Sequence, residues 1–525
     1  LLAGGSSTTG GELFTINGGA VETINSPSIS NLSNTGDLHV PGSGSFLLIN
    51  GDIENTGVIS INSNNAVFNA HIRFDSDATI NGDGLIRLEL GNDDLGDAQL
   101  FTSQGITATI GTQQTVSGAG RINGNSGGQL INLGTFIADV PDTELQLQGS
   151  ISGDGVYRSD NGIIGFGGGL VLDGGTFESS GTGIATHVSN GVSNLSNVTN
   201  NGEMGVNGNG GFVALAGPLT NNGTFRINAN RTVFNGHLRF DASTVIDGTG
   251  TVHMVSQGDM NDAQFFTNPG ITGTIGGDQA VEGSGIVDGR DGGTILNLGT
   301  INGNHAAVDK DPALPLALRG NHDGGGVGVY RSDDGILDLD GGLVLSGGIF
   351  DSSGVGIVTM LGNGVAMLSN VTNNGQLGIN GNGGFMSLVG PMTNNGTLTV
   401  NANSSIFNAY LRFDASTHIS GPGTIVMRSA GDSNDAQLYT GGVFHGIIGG
   451  DQTVMGSGMI DGRDGGTIVN LGTINGNDPD HPLDLFGNHG GGGVYRSDNG
   501  TLALRSTGPL GTVFDITLPK GDGTL

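Results

Sequence analysis

Three short acidic segments contain the side chains of this sequence that are best suited to hold a metal ion. Each segment has two aspartates separated by two residues, and the pairs are Asp94 with Asp97, Asp259 with Asp262, and Asp432 with Asp435. Closely spaced carboxylates between strands can bind Ca²⁺ together with backbone carbonyl oxygens. Ca²⁺ requires about six to eight oxygen ligands, however, and no EF-hand or glycine-rich calcium repeat accompanies the pairs. Calcium binding is therefore one interpretation, and a solvated Asp-rich turn is the favoured alternative.

Two histidines are candidates for contact with a ligand. His322 and His489 each end a Gly-Asn-His sequence that stands close to a run of glycines. Both lie beside the segment that varies most in length between copies, so we expect a solvent-exposed loop there. His71 and His237 occupy outward positions of a predicted strand. The third copy has Tyr410 at that position, so we predict no metal-ligand role for these two histidines.

Arginine and aspartate also recur two residues apart and could serve acid–base chemistry or carbohydrate binding. The pairs are Arg73 with Asp75, Arg239 with Asp241, and Arg412 with Asp414. An active site is normally built once in a chain, whereas these pairs return in every repeat. We therefore predict a structural ladder in which arginine bridges carboxylates or carbonyls of adjacent circuits. No nucleophile, zinc-protease or phosphate-binding motif stands in its required context, so the sequence predicts no enzyme and no cofactor besides the Ca²⁺ considered above.

A repeated turn organises the elements that carry these side chains. The tetrapeptide Thr-Asn-Asn-Gly occurs at 199–202, 220–223, 372–375 and 393–396, and short alternating strands follow it. Asn-Gly is favoured where the backbone requires a positive φ. The offset between neighbouring copies is 223 − 202 = 21, a spacing that suits one circuit of a solenoid. The pattern predicts an all-β, single-stranded, right-handed parallel β-helix with circuits of about 20 residues.

A longer repeat overlies the short one. Arg-Phe-Asp at 73–75 returns at 239–241 and again at 412–414, so the two spacings are 239 − 73 = 166 and 412 − 239 = 173. We divide the chain into the tail of a preceding unit at 1–28 and repeat units at 29–194, 195–367 and 368–525, the last of which diverges after about 504. Each unit would hold roughly eight circuits of about 20 residues, and the units would form one continuous solenoid.

Alternation assigns inward and outward faces to the strand that contains Arg73. Period two places Phe68, Ala70, Ile72 and Phe74 inside. The two later copies keep this phase and predict the following inward residues: Phe234, Gly236, Leu238 and Phe240, then Phe407, Ala409, Leu411 and Phe413.

One segment of each unit varies in length. It runs from Gly134 to Tyr157 in the first unit and from Gly299 to Tyr330 in the second, where the interval is longer (330 − 299 = 31 against 157 − 134 = 23). Prolines that disfavour a buried strand lie in its three copies, at Pro141, Pro312, Pro315, Pro479 and Pro482. We predict a loop that leaves the solenoid and that could bind a partner.

Charge and composition exclude several classes of function. The formal net charge is −31, from 48 acidic and 17 basic side chains, which opposes binding to nucleic acid or to an anionic membrane surface. No apolar run is long enough to span a bilayer, so we predict no membrane insertion of this segment. The 104 glycines lack the spacing of collagen, and the chain has no cysteine for disulfides or thiolate metal sites.

The repeated Thr-Asn-Asn-Gly strands, the run Gln114 to Gly120 and the run Leu130 to Thr135 carry a resemblance to a known group of proteins. The chain resembles bacterial secreted β-strand-repeat surface proteins, which are grouped with autotransporter passengers and filamentous-haemagglutinin-like β-helix adhesins. The resemblance implies a location outside the cell or on the bacterial cell surface, and a role as a fibre, stalk or adhesin. It supplies no shared catalytic residues.

Three functions follow as hypotheses. The favoured one is a structural extracellular fibre, stalk or adhesin segment, a stiff rod with binding in its loops and with cell-surface or matrix glycans as partners. A carbohydrate-active β-helix, such as a polysaccharide lyase, hydrolase or tailspike-like protein, is the second. The third is a self-assembling filament subunit, whose partner is another copy attached head to tail or laterally. Residues 13–16 and 513–518 read as strands without polar caps, so we expect either covalent continuation into further units, which we favour, or assembly.

Overall fold

The computed structural model describes residues 2–42, 44–65, 69–91, 94–304 and 314–505. The chain divides into two compact halves. The N-terminal half comprises Leu1–Gly258 with Asp262–Gln264, and the C-terminal half comprises Asp259–Asn261 with Phe265–Leu525. The described residues form 61 short strands and a single turn of 3-10 helix, Met260–Asp262. Within these ranges no helix is long and apolar enough to cross a membrane.

Parallel pairing builds the N-terminal half, in which most strands pair with the strands three positions before and after them. This pairing produces three parallel sheets, and the long strands Gly120–Asn132 and Glu144–Ser152 bend from sheet 1 into sheet 2. Sheet 1 contains Ser7–Thr9, Ser28–Ser30, Ser45–Ile49, Ala70–Phe74, Ala98–Thr102, the first parts of the two long strands, Ile163–Phe166, Ile184–His187, Glu203–Val206, Thr224–Ile227 and Thr251–Met254.

The other two sheets of this half follow the same rule. Sheet 2 contains Glu12–Leu13, Leu32–Asn34, Ile53–Asn55, Ala78–Asn81, Thr107–Ile110, the last parts of the two long strands, Val171–Asp173, Val192–Ser196, Phe212–Leu215 and Gly236–Phe240. Sheet 3 contains Leu2–Ala3, Val21–Ile24, Asp37–Val40, Val58–Ile61, Leu85–Leu88, Thr115–Gly118, Thr135–Ala138, Val156–Asp160, Thr176–Ser180, Val198–Asn200, Leu219–Asn221 and Thr244–Asp247.

The C-terminal half is built in the same way from sheets 4, 5 and 6. Sheet 4 contains Thr272–Ile275, the last parts of Gly285–Asn297 and Leu316–Asp323, Val344–Ser346, Gly364–Ser369, Gly384–Leu388, Ala409–Phe413, Ala436–Thr440, the first parts of Gly458–Asn470 and Leu483–Gly490, and Leu502–Leu504. Sheet 5 contains Ala280–Gly283, Thr300–Asn302, Val329–Asp333, Ile349–Ser353, Val371–Asn373, Met392–Asn394, Thr417–Ser420, His445–Ile448 and the last parts of Gly458–Asn470 and Leu483–Gly490.

Sheet 6 completes the C-terminal half. It contains the first parts of Gly285–Asn297 and Leu316–Asp323, then Ile336–Leu339, Ile357–Met360, Gln376–Ile379, Thr397–Val400, Thr424–Met427, Thr453–Gly456, Thr473–Gly476 and Val494–Arg496. The strand Ala263–Thr267 contributes residues to both halves. The predicted parallel β-helix is therefore confirmed in each half.

Like residues stack inside the sheets. In sheet 3, Leu38, Ile59, Ile86 and Val116 stand in register on successive strands, and all four are fully buried. Period-two alternation puts such residues inside and their neighbours outside. Burying an aliphatic side chain contributes roughly 1.5–3 kcal/mol, so each circuit adds a small increment to the core.

The predicted inward phase is correct within the strands and wrong in front of them. Ala409, Leu411 and Phe413 are fully buried, as expected, but Phe407 is 65% exposed because the strand begins only at Ala409. Phe234 is exposed to the same extent in front of Gly236–Phe240. Phe68, the first copy of this residue, lies outside the described residues, as do Pro312 and residues 513–518.

At the N-terminal end, the strand predicted at 13–16 is shorter than expected. It is confined to Glu12–Leu13, and both Phe14 and Ile16 are exposed.

The repeated Thr-Asn-Asn-Gly turns use glycine for a reason different from the predicted one. Gly202 and Gly223 do not have a positive φ. A Cβ added to Gly223 would lie 2.1 Å from the carbonyl oxygen of Gly202 in the preceding circuit. Gly396 stands at the same distance from the carbonyl oxygen of Gly375. Close approach of successive circuits, not turn geometry, therefore excludes a side chain here.

The circuits vary in length, and the repeat is not a whole number of circuits. Val21 pairs with Leu38, an offset of 38 − 21 = 17, whereas Gly285 pairs with Leu316, an offset of 316 − 285 = 31. Val198–Asn200 corresponds in sequence to Leu32–Asn34, and it follows 22 strand segments later when each bent strand counts twice. Three segments make a circuit, so 22 segments make about seven and a third circuits rather than eight. The two homologous strands therefore lie in different sheets, sheet 2 and sheet 3.

Candidate functional site

The acidic pair of the third repeat holds the backbone of its own loop. Asp435 is 3% exposed, and its Oδ2 accepts hydrogen bonds from the amides of Ala430, Gly431 and Asp432 at 2.9, 2.5 and 3.0 Å. Asp432 Oδ1 accepts one from the amide of Asn434 at 2.7 Å. A carboxylate has about four lone-pair positions, so Asp435 already uses most of its acceptor capacity within the loop.

The other two pairs are arranged similarly. Asp262 Oδ2 accepts hydrogen bonds from the amides of Gln257 and Gly258 at 3.1 and 2.6 Å. Asp94 and Asp259 each accept one from the amide two residues later, at 2.8 and 2.7 Å. These contacts are those of an Asp-rich turn.

Burial of the second aspartate is common to all three loops. Asp97 is 1% exposed and Asp262 is 2% exposed. Across the ranges that the structure describes, no three His, Cys, Asp or Glu side chains converge in a way that could hold a metal ion. Calcium binding at these loops therefore remains a prediction that rests on the sequence pattern.

The two candidate histidines do not lie in exposed loops, and that prediction was wrong. His322 belongs to the strand Leu316–Asp323 and is 2% exposed. Its Nε2 donates to the carbonyl oxygens of Arg319 and Val287 at 3.0 and 3.3 Å, and burial lowers its pKa to about 4. His489 lies in the strand Leu483–Gly490, where burial also lowers the pKa of its imidazole. The run of glycines begins only after this strand has ended. His322 is therefore not available to a ligand, because it is buried within the strand.

The repeated arginines and aspartates pair within one circuit rather than between circuits, because each aspartate directly follows the strand that carries its arginine. Arg73 donates to both carboxylate oxygens of Asp75, at 2.7 and 2.9 Å. The adjacent circuits are reached by other contacts: the hydroxyl of Ser103 donates to Asp75 at 2.7 Å, and the guanidinium carbon of Arg73 lies 5.4 Å from the ring centroid of Phe46. The predicted bridging of adjacent circuits by arginine–carboxylate pairs is therefore wrong for Arg73, whose circuit contacts its neighbours through an aromatic ring and a hydroxyl instead.

An open groove on the outward face of sheet 4 is the best candidate for a functional site. Its volume is about 440 Å³. Five consecutive strands of the sheet contribute to it, from Gly384–Leu388 to the first part of Leu483–Gly490. The lining residues are aromatic, apolar and polar side chains of the third repeat: Phe385, Tyr410, Asn434, Gln437, Tyr439, Met459, Asp461, Arg463 and Phe486.

Aromatic rings form one side of the groove. Phe385 and Tyr410 are in register on neighbouring strands, and their rings are stacked with centroids 4.1 Å apart and an interplanar angle of 11°. Tyr410 meets Tyr439 edge to face at 6.0 Å. The hydroxyl of Tyr410 accepts a hydrogen bond from Asn408 Nδ2 at 2.8 Å. This oxygen is therefore held in place while its hydrogen can still be donated.

A charged pair lies next to the aromatic rings. The guanidinium carbon of Arg463 lies 3.9 Å from the ring centroid of Tyr439, and its Nε is 2.9 Å from Asp461 Oδ2. Arg463 Nη2 also donates to Gln437 Oε1 at 2.8 Å. Burial raises the pKa of Asp461, and the charge of Arg463 acts against this rise. The groove thus combines one ion pair, two amide side chains and several aromatic rings.

Sequence reasoning missed this groove although it noticed one of its residues. Tyr410 served only to exclude a metal-ligand role for His71 and His237. The signal is a column of groove-lining residues in register on successive strands, of which Phe385 and Tyr410 are aromatic. It is hidden because the register offsets differ, at 25 (410 − 385), 27 (437 − 410) and 22 (459 − 437). Without the pairing, no fixed period aligns these positions.

Comparison with known proteins identifies no relative, so a function must be inferred from the geometry of the fold and of the groove. The chain matches no protein-family model, and no curated protein matches it.

Proposed function

We propose that this chain is a segment of an extracellular fibre or stalk on a bacterial cell surface, with an adhesive role. The observation that supports it best is the stacking of identical buried side chains in successive circuits. Asn34 Nδ2 donates to Asn55 Oδ1 at 2.8 Å, and the later repeats form the same bond. The recurring pairs are Asn200 with Asn221 at 2.7 Å and Asn373 with Asn394 at 2.8 Å.

Such pairs suit a structural role. All six asparagines are at most 1% exposed, so their amides cannot contact a ligand. Buried amides that satisfy one another fix the register between circuits, because a slipped circuit would leave polar atoms unpaired. A fold in which this asparagine pair recurs along the chain is better suited to a stiff rod than to a protein with one active site.

The groove does not favour the enzymatic alternative. Glycoside hydrolysis usually requires two carboxyl groups on either side of the scissile bond. Asp461 is the one carboxylate among the groove-lining residues, and it is paired with Arg463. Incubation of the chain with a panel of polysaccharides tests this point. We expect no turnover, and a turnover that Asp461→Asn abolishes would overturn the stalk proposal in favour of an enzyme.

Single-molecule pulling from the two termini tests the mechanical role. A stalk made of circuits is expected to unfold in many small steps, because each circuit contacts only its neighbours. Each step should release roughly 20 to 30 residues, the length of a circuit in such repeats. A single large unfolding event at low force would contradict the proposal. Asn200→Leu should lower the force at which the circuit that contains it unfolds. The control Asn201→Leu, which alters the exposed neighbouring residue, should not lower it.

A further inference from the structure

The groove on sheet 4 has the shape of a site for an extended ligand. It crosses five strands, and four strand spacings of about 4.8 Å give a length of roughly 19 Å. Its volume is about 440 Å³, and it is open to solvent. A short chain of linked rings would fill it better than a compact metabolite.

The charge of the groove favours a neutral ligand. Arg463 is paired with Asp461, and the neighbouring Arg412 is paired with Asp414 at 2.6 Å. Neither guanidinium is therefore available as an uncompensated positive charge. The formal net charge of −31 also repels anionic polymers, which disfavours sulfated or phosphorylated chains.

The polar groups favour a ligand that carries hydroxyls. Tyr410 offers a hydroxyl hydrogen, Asn434 offers a side-chain amide, and Asp461 offers carboxylate oxygens. A hydroxyl group both donates and accepts, so it can satisfy all three kinds of partner. The partly exposed Phe385 and Phe486 supply apolar contact for the C–H surfaces of a sugar ring.

The backbone of the groove argues against a peptide. Peptides that add to a sheet require an unpaired strand edge. Ala409–Phe413 is paired on both sides, with Gly384–Leu388 and with Ala436–Thr440. A ligand on this face must therefore be recognised through side chains alone.

We propose that the groove lined by Phe385, Tyr410, Tyr439, Asp461 and Arg463 binds a neutral oligosaccharide. The inference rests on the proposed adhesive function and moves the binding surface from the variable loops to a sheet face. The corresponding face of the first repeat keeps Phe46, which contacts the ring of His71 at 4.8 Å. That repeat has Asn123 and Asn125 where the groove has Asp461 and Arg463, so it lacks the ion pair.

Phe46 therefore provides a matched control for Phe385. Both phenylalanines point outward from equivalent strands, and each lies under the arginine of the next circuit, at 5.4 Å for Arg73 and 5.2 Å for Arg412. Phe385→Ala and Phe46→Ala should consequently have similar effects on thermal unfolding. Only Phe385→Ala removes a side chain from the groove.

The experiment is titration calorimetry of the full chain with neutral gluco-, galacto- and manno-oligosaccharides chosen from a printed glycan array. We expect Phe385→Ala to weaken binding by about tenfold or more, as a central aromatic contact does, and Phe46→Ala to leave the affinity unchanged. Asp461→Asn keeps the shape of the groove and should also weaken binding, so the test does not depend on one variant.

Four results would overturn the inference. They are the absence of binding to any neutral oligosaccharide, an equal loss in both phenylalanine variants, no effect of Asp461→Asn, and a preference for sulfated oligosaccharides or for peptides on a parallel array. The pulling experiment on the unliganded chain is independent of these results. Failure of glycan binding therefore leaves the stalk proposal standing, whereas failure of the stalk proposal would appear in the pulling traces of the unliganded chain.

Discussion

Buried amides and imidazoles contribute polar interactions inside this molecule. Asn200 and His322 are almost inaccessible to water, yet each donates to a fixed acceptor. The cost of burying a polar group is offset only when such a partner is present. At the scale of single residues, the polar interior therefore specifies register, and disturbing it should destabilise the circuits nearby.

Asn200→Ala tests the amide ladder. The substitution leaves the buried Oδ1 of Asn221 without its donor, so we expect a loss of about 1–3 kcal/mol in local stability. Hydrogen exchange of the amides in residues 198–227 measures this loss, because solenoid stability is local. Asn201→Ala, which alters the exposed neighbour, should cost less than about 0.5 kcal/mol. Equal effects of the two substitutions would contradict the ladder.

His322→Gln tests the buried imidazole through its pH dependence. The pKa of His322 is about 4 in the folded protein against an ordinary value of 6.5. Between these values the unfolded chain binds a proton that the folded chain does not. The stability that comes from burying the neutral imidazole is therefore complete above about pH 6.5, and it falls as the pH drops toward 4.

Urea unfolding at pH 7 and pH 5 measures the effect. The variant should reduce the pH-dependent loss by about 2 kcal/mol, whereas the control His418→Gln, which alters an exposed histidine, should leave it unchanged. Burial raises the pKa of Asp338 to about 6. The contribution of Asp338 to stability is therefore lost as the pH rises. Because this contribution is the same in the wild-type chain and in both variants, it cancels when they are compared. An unchanged pH dependence in His322→Gln would place the imidazole in contact with water.

At the scale of elements, glycine columns let successive turns touch. Gly375 and Gly396 follow one another in adjacent circuits, and a methyl group on the second would collide with the carbonyl oxygen of the first. Successive Thr-Asn-Asn-Gly turns can therefore stack at the spacing of neighbouring strands only if the last position of the turn has no side chain. The same contact occurs between Gly202 and Gly223.

Gly396→Ala is expected to destabilise the third repeat by about 1–3 kcal/mol, as overpacking does. The control is Gly492→Ala, since a Cβ at Gly492 meets nothing within 4 Å and its φ is not positive. That control should be neutral or slightly stabilising. Thermal unfolding followed by circular dichroism compares the two variants, and a neutral result for Gly396→Ala would refute the close approach.

The strand pattern was predictable because alternation and the recurring turn are local signals. Phe413 inside its strand follows from period two, whereas the exposure of Phe407 depends on where the strand begins, which alternation alone does not mark. The groove was not predictable, since Phe385, Tyr410 and Tyr439 meet only through pairings with unequal offsets. The burial of His322 likewise depends on the strand continuing up to the glycine run.

At the scale of the whole molecule, the important feature is that the length of the sequence repeat does not match a whole number of circuits. In the N-terminal half, one repeat spans about seven and a third circuits, so homologous residues change sheet. Phe46 faces outward from sheet 1, and its counterpart Phe212 lies in sheet 2. A repeat of this length distributes equivalent outward residues over different faces. Such a distribution suits a stalk that meets partners from several sides.

Small-angle X-ray scattering of the monomeric chain tests the stalk proposal most directly. A compact protein of 525 residues would have a radius of gyration of about 24 Å. If the circuits stack at about 4.8 Å throughout, the particle is on the order of 110 Å long and its radius of gyration exceeds about 30 Å. The proposal predicts the larger value, with a cross-section that stays constant along the particle. A radius of gyration near the compact value would contradict it.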